Sequence, residues 1–353
     1  MYNINIQQTQ GDKIMFNKIF AILLVISMLF CVGCNKNSDT GSNNEGEAPA
    51  EPLTVNSLTG LKDIPEDKLM ARPVAVMVNN INVAKDVQAG LPYADIVYET
   101  EVEGGITRLM AVYKDIESVK QIGSVRSARY VYVDLALGHD AIFVHCGSDP
   151  VYCRPRLASM QHLDIYDGSY GKKIENGKSG DHKLYTFSEQ LLKGFNKKGF
   201  RQTENSTATW ANFADEGETV ALTGGNATEV TVPFSTSHKA EFKYNSEIGK
   251  YQRYIQGKLQ KDYATGETVD VENIFVLLTT IKDYPDGEHR EVALTSGDGY
   301  YFSEGKLNFI KWQKGAANNG FKFTDTDGKE LKVTAGNSWV CIADKNKANP
   351  KYQ

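Results

Sequence analysis

The apolar run from Ile19 to Val32 stands directly behind Lys18 and stops at Gly33-Cys34, after which the chain turns abruptly polar. A bilayer core of about 30 Å takes about 20 apolar residues to cross, so this run is too short to span one. A charged start, a short apolar middle and a small residue before the cut describe an export signal over residues 1–33, with Met15 as an alternative start. A simple cleaved signal or an uncleaved anchor is the competing reading. In each case the segment serves targeting, and everything that packs lies downstream of it.

The cysteine at the cut resembles the acylation site of bacterial lipoproteins, in which the Cys becomes a lipid-bearing N-terminus; Cys31 stands where such signals usually carry Leu. Palmitate or a similar chain on Cys34 would be the membrane attachment, since no second apolar stretch is long enough to span. It would place the protein on the extracytoplasmic face of the cell membrane, each buried CH₂ contributing about 0.8 kcal/mol. Removing residues 1–33 takes away Lys13, Lys18 and Asp12 and moves the formal net charge from −5 to −6. That acidic balance argues against nucleic acid as a partner, because phosphate neutralisation needs a basic face. Cys146, Cys153 and Cys341 cannot all pair; a Cys146–Cys153 bridge and free thiols both stay open. Their C-x₆-C spacing fits no common zinc module.

Residues 34–68 begin rich in Asn, Gly, Ser, Glu and Pro, and read as a flexible tether. Residues 69–211 read as an α/β domain. Val74 to Val78 is an apolar run suited to a strand covered on both faces. Asp95–Glu101 and Ile106–Lys114 flank Gly104-Gly105 as a hairpin. Ser127 to Gly138 carries helical spacing with Ser124 or Ser127 as N-cap, and Asp149-Pro150 starts a second helix running to about His162. Residues 212–353 show short strand-like runs separated by turn dipeptides such as Asp298-Gly299, which predicts a mostly antiparallel β domain, a sandwich or partly closed barrel. The fold class expected is α+β, with a mixed sheet in the first domain.

Chemistry concentrates between Glu99 and Arg129. Glu99, Glu101 and Glu103 alternate along an extended segment and so share a face. Around a predicted helix start, Gly123 to Arg129 gathers two hydroxyls and two arginines, and guanidinium groups grip carboxylate or phosphate bidentately. The expected anion seat is Arg108, Arg126, Ser127 and Arg129, with His182 beside it; the competing reading has Ser127 capping the helix and the arginines paired with Glu99 and Glu103. His145, at a strand end before Cys146, joins Glu99 and Glu103 as acid–base candidates. No metal site is expected, because no spacing puts two ligands on one element, and no cofactor fingerprint is present. Tyr251, Tyr254, Trp312 and Trp339 read mainly as core.

The segments RPVAVMVNN (from Arg72), GLPYADIVYETEVEGGITRLMAVY (from Gly90), IGSVRSAR (from Ile122), DAIFVHCGS (from Asp140), DHKLYT (from Asp181), YQRYIQGKLQKDYATGE (from Tyr251), NIFV (from Asn273), FIKWQK (from Phe309) and GNSWVCI (from Gly336) closely resemble the YerB-like bacterial lipoproteins. Lys183 departs from the Asn more usual there. The resemblance implies a two-part extracytoplasmic lipoprotein with an α/β front and a β-rich back, and supplies no reaction. Two functional classes follow: a module binding an anionic wall polymer, peptide or envelope protein, or an envelope hydrolase or transferase using the Glu and His candidates.

Overall fold

Every residue from Val74 to Asn79 is buried, and a strand with two covered faces must lie inside a sheet. The computed structural model, which describes residues 52–206 and 208–353, places it there. Cys34 and the expected signal lie outside the described residues.

The central sheet has ten strands. Those from the first half of the chain are β1 (Val74–Asn79), β2 (Ile96–Glu101), β3 (Thr107–Tyr113), β4 (Ile142–His145) and β5 (His162–Asp164). The second half adds β6 (Asn273–Thr279), β7 (Ser296–Ser303), β8 (Lys306–Gln313), β9 (Lys322–Asp325) and β10 (Ser338–Asp344). The spatial order is β9-β8-β7-β6-β10-β2-β3-β1-β4-β5. The β2–β3 hairpin turns at Glu103–Gly105 as expected, and β7, β8 and β9 form an antiparallel meander. β10 pairs in parallel with both β6 and β2, so strands from either side of residue 212 share one sheet.

Side chains alternate across this sheet. Val74, Val76, Val78, Leu109, Ile274, Val276 and Trp339 face one core, completed by Val230, Val232, Phe242 and Tyr251 of a smaller antiparallel sheet and by Leu191 and Phe195 of a helix. Ala75, Met77, Tyr98, Met110, Phe275 and Val340 face the other, beneath Val131, Tyr132 and Leu135 of helix α1 (Tyr130–Gly138). The second half thus stacks a smaller antiparallel sheet on its own share of the central sheet, a two-layered arrangement whose larger layer continues into the first half.

Three local expectations change. Leu53–Val55 and Lys62–Pro65, inside the stretch read as tether, pair as an antiparallel ribbon, held down where Leu58 joins an apolar core and Ile64 is buried. α1 begins at Tyr130 with no side-chain cap: bridges from Val125 to Val78 and from Ala128 to Ser148 hold the preceding residues extended, so neither Ser124 nor Ser127 caps it. The second helix shrinks to α2 (Arg154–Leu157), since Asp149 accepts N–H bonds from Val151, Tyr152 and Cys153 in a tight turn, and His162 pairs with Phe143 as the start of β5. Cys146, Cys153 and Cys341 are free thiols.

Candidate functional site

β1, β2, β4, β5, β6 and β10 all run the same way, so their carboxyl ends, including Asn79, Glu101, His145 and Asp164, line one edge of the sheet. In open sheets with parallel strands, ligands bind outside such carboxyl ends. The segment after β3 is laid across this edge. Ser124 O accepts from Asn79 N at 2.8 Å, Arg126 N donates to Met77 O, and Cys146 N donates to Arg126 O at 3.0 Å. Arg126 is therefore fixed by its backbone between the ends of β1 and β4.

Its guanidinium lies 3.2 Å from the carboxylate of Asp181 and 3.4 Å from Nδ1 of His182. Asn79 Nδ2 also donates to that Nδ1, at 2.9 Å, so the nitrogen is an acceptor and a neutral ring carries its proton on Nε2. Burial and the Arg126 charge both press the His182 pKa down, which keeps the ring neutral. Asp181 is 83% exposed in its side chain, whereas Arg126 is 21% exposed. The arginine is held from behind while its carboxylate partner stands in solvent.

The other two arginines of the expected seat are spent internally. Glu103 takes Arg129 Nε at 2.7 Å, Arg108 Nη2 at 2.5 Å, and Arg129 Nη2. Burial pushes this carboxyl up, but the two guanidinium groups outweigh it and hold its pKa at about 2. Burial and the neighbouring Arg129 charge lower the Arg108 pKa to about 10. Arg108 also donates to Ser127 O, so Ser127 enters through its carbonyl.

The three glutamates do not share a site. Glu99 is wholly buried; it accepts from Asn80 Nδ2 at 2.7 Å, Thr107 Oγ1 at 2.9 Å, Trp339 Nε1 at 3.1 Å and Arg253 Nη2 at 3.3 Å. Arg253 lies over the Trp339 ring, 4.4 Å from its centroid, which desolvates both partners. Glu101 pairs instead with Arg290 at 2.9 Å. Sequence reasoning missed Arg253, because 154 residues separate it from Glu99.

His145 is likewise enclosed. Its Nδ1–H donates to Gly147 O at 2.8 Å, and its Nε2 accepts from His162 Nδ1 at 3.0 Å. Burial lowers its pKa to about 4, so it stays neutral near pH 7. Burial, with Asp164 and Asp181 nearby, pushes the Cys146 thiol up to about 11, far from a thiolate nucleophile. Among the described residues no group of three His, Cys, Asp or Glu side chains has metal-holding geometry.

Residues 58–201 match the N-terminal domain, and residues 230–340 the C-terminal domain, of the DUF3048 proteins of unknown function. A Bacillus subtilis protein named as a lipoprotein, YerB, is 32% identical over 295 residues, covering 81% of this chain and 85% of its own length. The crystal structure of the Bacillus subtilis YerB protein superposes with a TM-score of 0.73 at 27% identity, covering 84% of this chain and 99% of that one.

Proposed function

The chain belongs to the YerB-like family, and on that premise we propose that it is a lipid-anchored protein on the extracytoplasmic face of the cell membrane that holds an anionic envelope ligand at Arg126. The anchor is Cys34: the Bacillus subtilis relative is named as a lipoprotein, and this chain carries a cysteine at the matching kind of signal. Among the described residues no helix is long and apolar enough to cross a membrane.

The observation that carries the binding role is the contrast among the arginines. Arg108 and Arg129 are neutralised by a half-buried carboxylate, while Arg126 faces one that stands in solvent. A ligand carboxylate or phosphate can replace Asp181 without leaving a buried charge unpaired. The hydrolase reading draws no support from Glu99 or His145, whose polar atoms are engaged and closed to solvent.

The test is retention of the full-length protein, kept in detergent, on purified cell-wall sacculi. Arg126→Ala is expected to weaken retention at least tenfold, and added salt to weaken the wild type. Exposed pairs contribute about 0–1 kcal/mol, so the variant should stay folded. Retention unchanged in Arg126→Ala would refute the assignment, and release of soluble fragments by the wild type would replace binding with catalysis.

A further inference from the structure

A cleft of about 610 Å³ opens between the helical turn Asn82–Val87 and the hairpin formed by Lys250–Ile255 and Lys258–Leu259. Lys85, Lys178, Lys258 and Lys261 line it, with Asp86 as the one carboxylate among the lining residues. Asp86 is engaged by Lys178 at 2.8 Å. Three lysines therefore face the cleft without a carboxylate among its walls. Aliphatic surface from Val83, Ile255 and Leu259 lies between them.

Lys85 sets this cleft apart from an ordinary basic patch. The residue is 5% exposed, and its ammonium, which keeps a little contact with solvent, makes no hydrogen bond or ion pair with the described residues. Burial, with the Arg253 charge, lowers its pKa, and the more distant Glu99 and Glu241 carboxylates offset this only in part. An ammonium withdrawn this far from water is costly to leave unpaired, and chains normally pair one or expose it fully. Here it is left at a cavity wall, where an entering anion would complete it.

We propose that this cleft binds a linear phosphodiester chain with short aliphatic spacers. Lysine ammonium groups act as point charges suited to tetrahedral phosphates and lack the planar fork that favours carboxylate. Apolar patches between the amines match carbon spacers between phosphates. A flat membrane surface cannot reach a recessed Lys85, which favours a narrow soluble chain over a lipid headgroup. None of the lining residues belongs to the Arg126 edge, so this inference does not rest on the Arg126 assignment.

The test measures binding of a fluorescent poly(glycerol phosphate) oligomer to the full-length protein in detergent at low salt. Lys258 and Lys261 are exposed, and the double substitution Lys258→Glu/Lys261→Glu leaves the core untouched. It is expected to weaken binding at least tenfold. Lys85→Met keeps the buried stem, removes the charge, and should weaken binding similarly with thermal stability equal or higher. Lys306→Glu/Lys329→Glu, the same charge change at exposed lysines outside the cleft, should stay within twofold of wild type. No measurable binding by the wild type, or binding indifferent to the double substitution, overturns the proposal. Loss in Arg126→Ala alone overturns it while leaving the Arg126 reading standing. Equal affinity for poly-γ-glutamate removes the phosphodiester class, and binding only to phosphatidylglycerol vesicles assigns the lysines to a lipid surface.

Discussion

At the level of single residues, two carboxylates that look alike in the sequence have opposite environments. Glu99 is wholly buried against Arg253, and removing one member of a buried pair leaves the other uncompensated. Glu99→Gln is expected to lower unfolding free energy by about 3–5 kcal/mol in urea titration; a loss near zero would mean that water reaches the site. Glu103 has a folded pKa of about 2, below its ordinary 4.5, because Arg108 and Arg129 outweigh burial. The folded state therefore holds fewer protons than the unfolded chain between those values. The stability this contributes is fully present above about pH 4.5 and disappears as pH falls through about 2. It amounts to about 3 kcal/mol, at roughly 1.4 kcal/mol for each pH unit between the two values. Wild type and Glu103→Gln, compared by urea midpoint at pH 5 and pH 3, should converge on acidification. Parallel lines would place the effect elsewhere.

At the level of elements, the strands that sequence reveals best carry their own pattern. The continuous run Val74–Val78 and the Gly104-Gly105 turn specify β1 and the β2–β3 hairpin locally, and both are where expected. The Gly123–Arg129 segment shows how tertiary pairing overrides a local signal. Its serines resemble helix caps, but hydrogen bonds to Met77, Leu184 and Gly147 hold it extended until Tyr130. Ser127→Ala should accordingly cost less than about 0.5 kcal/mol by thermal or urea unfolding, where loss of a true N-cap costs about 1. A loss of 1 kcal/mol or more would restore the capping role. The candidate sites were legible in proportion to their compactness in sequence. Arg108, Arg126 and Arg129 could be picked out together, but Glu103 claims two of them, and Asp181 and His182 reach the third from more than fifty residues away. The lysine cleft left only the Lys258–Lys261 pair as a trace, because its other cations come from residues 85 and 178.

At the level of the whole molecule, β10 is the element on which both halves depend. It lies between β6 and β2, so removing it leaves two buried apolar strands with unpaired backbone along their edges. Residues 52–211 produced alone should therefore be insoluble or lack the near-ultraviolet circular dichroism of fixed aromatic packing. A soluble fragment with cooperative melting would show that the first half closes its own sheet. The position of β10 also bears on the order of events during synthesis. A chain that emerges amino end first cannot complete its central sheet until residue 344 is in hand, more than two hundred residues after β2 has been made. Until then the apolar strands lack their partner, and a chain in that state resists premature locking. On the export proposed above, a core that waits for β10 would keep the polypeptide pliable during passage and commit it to its shape only on the far side.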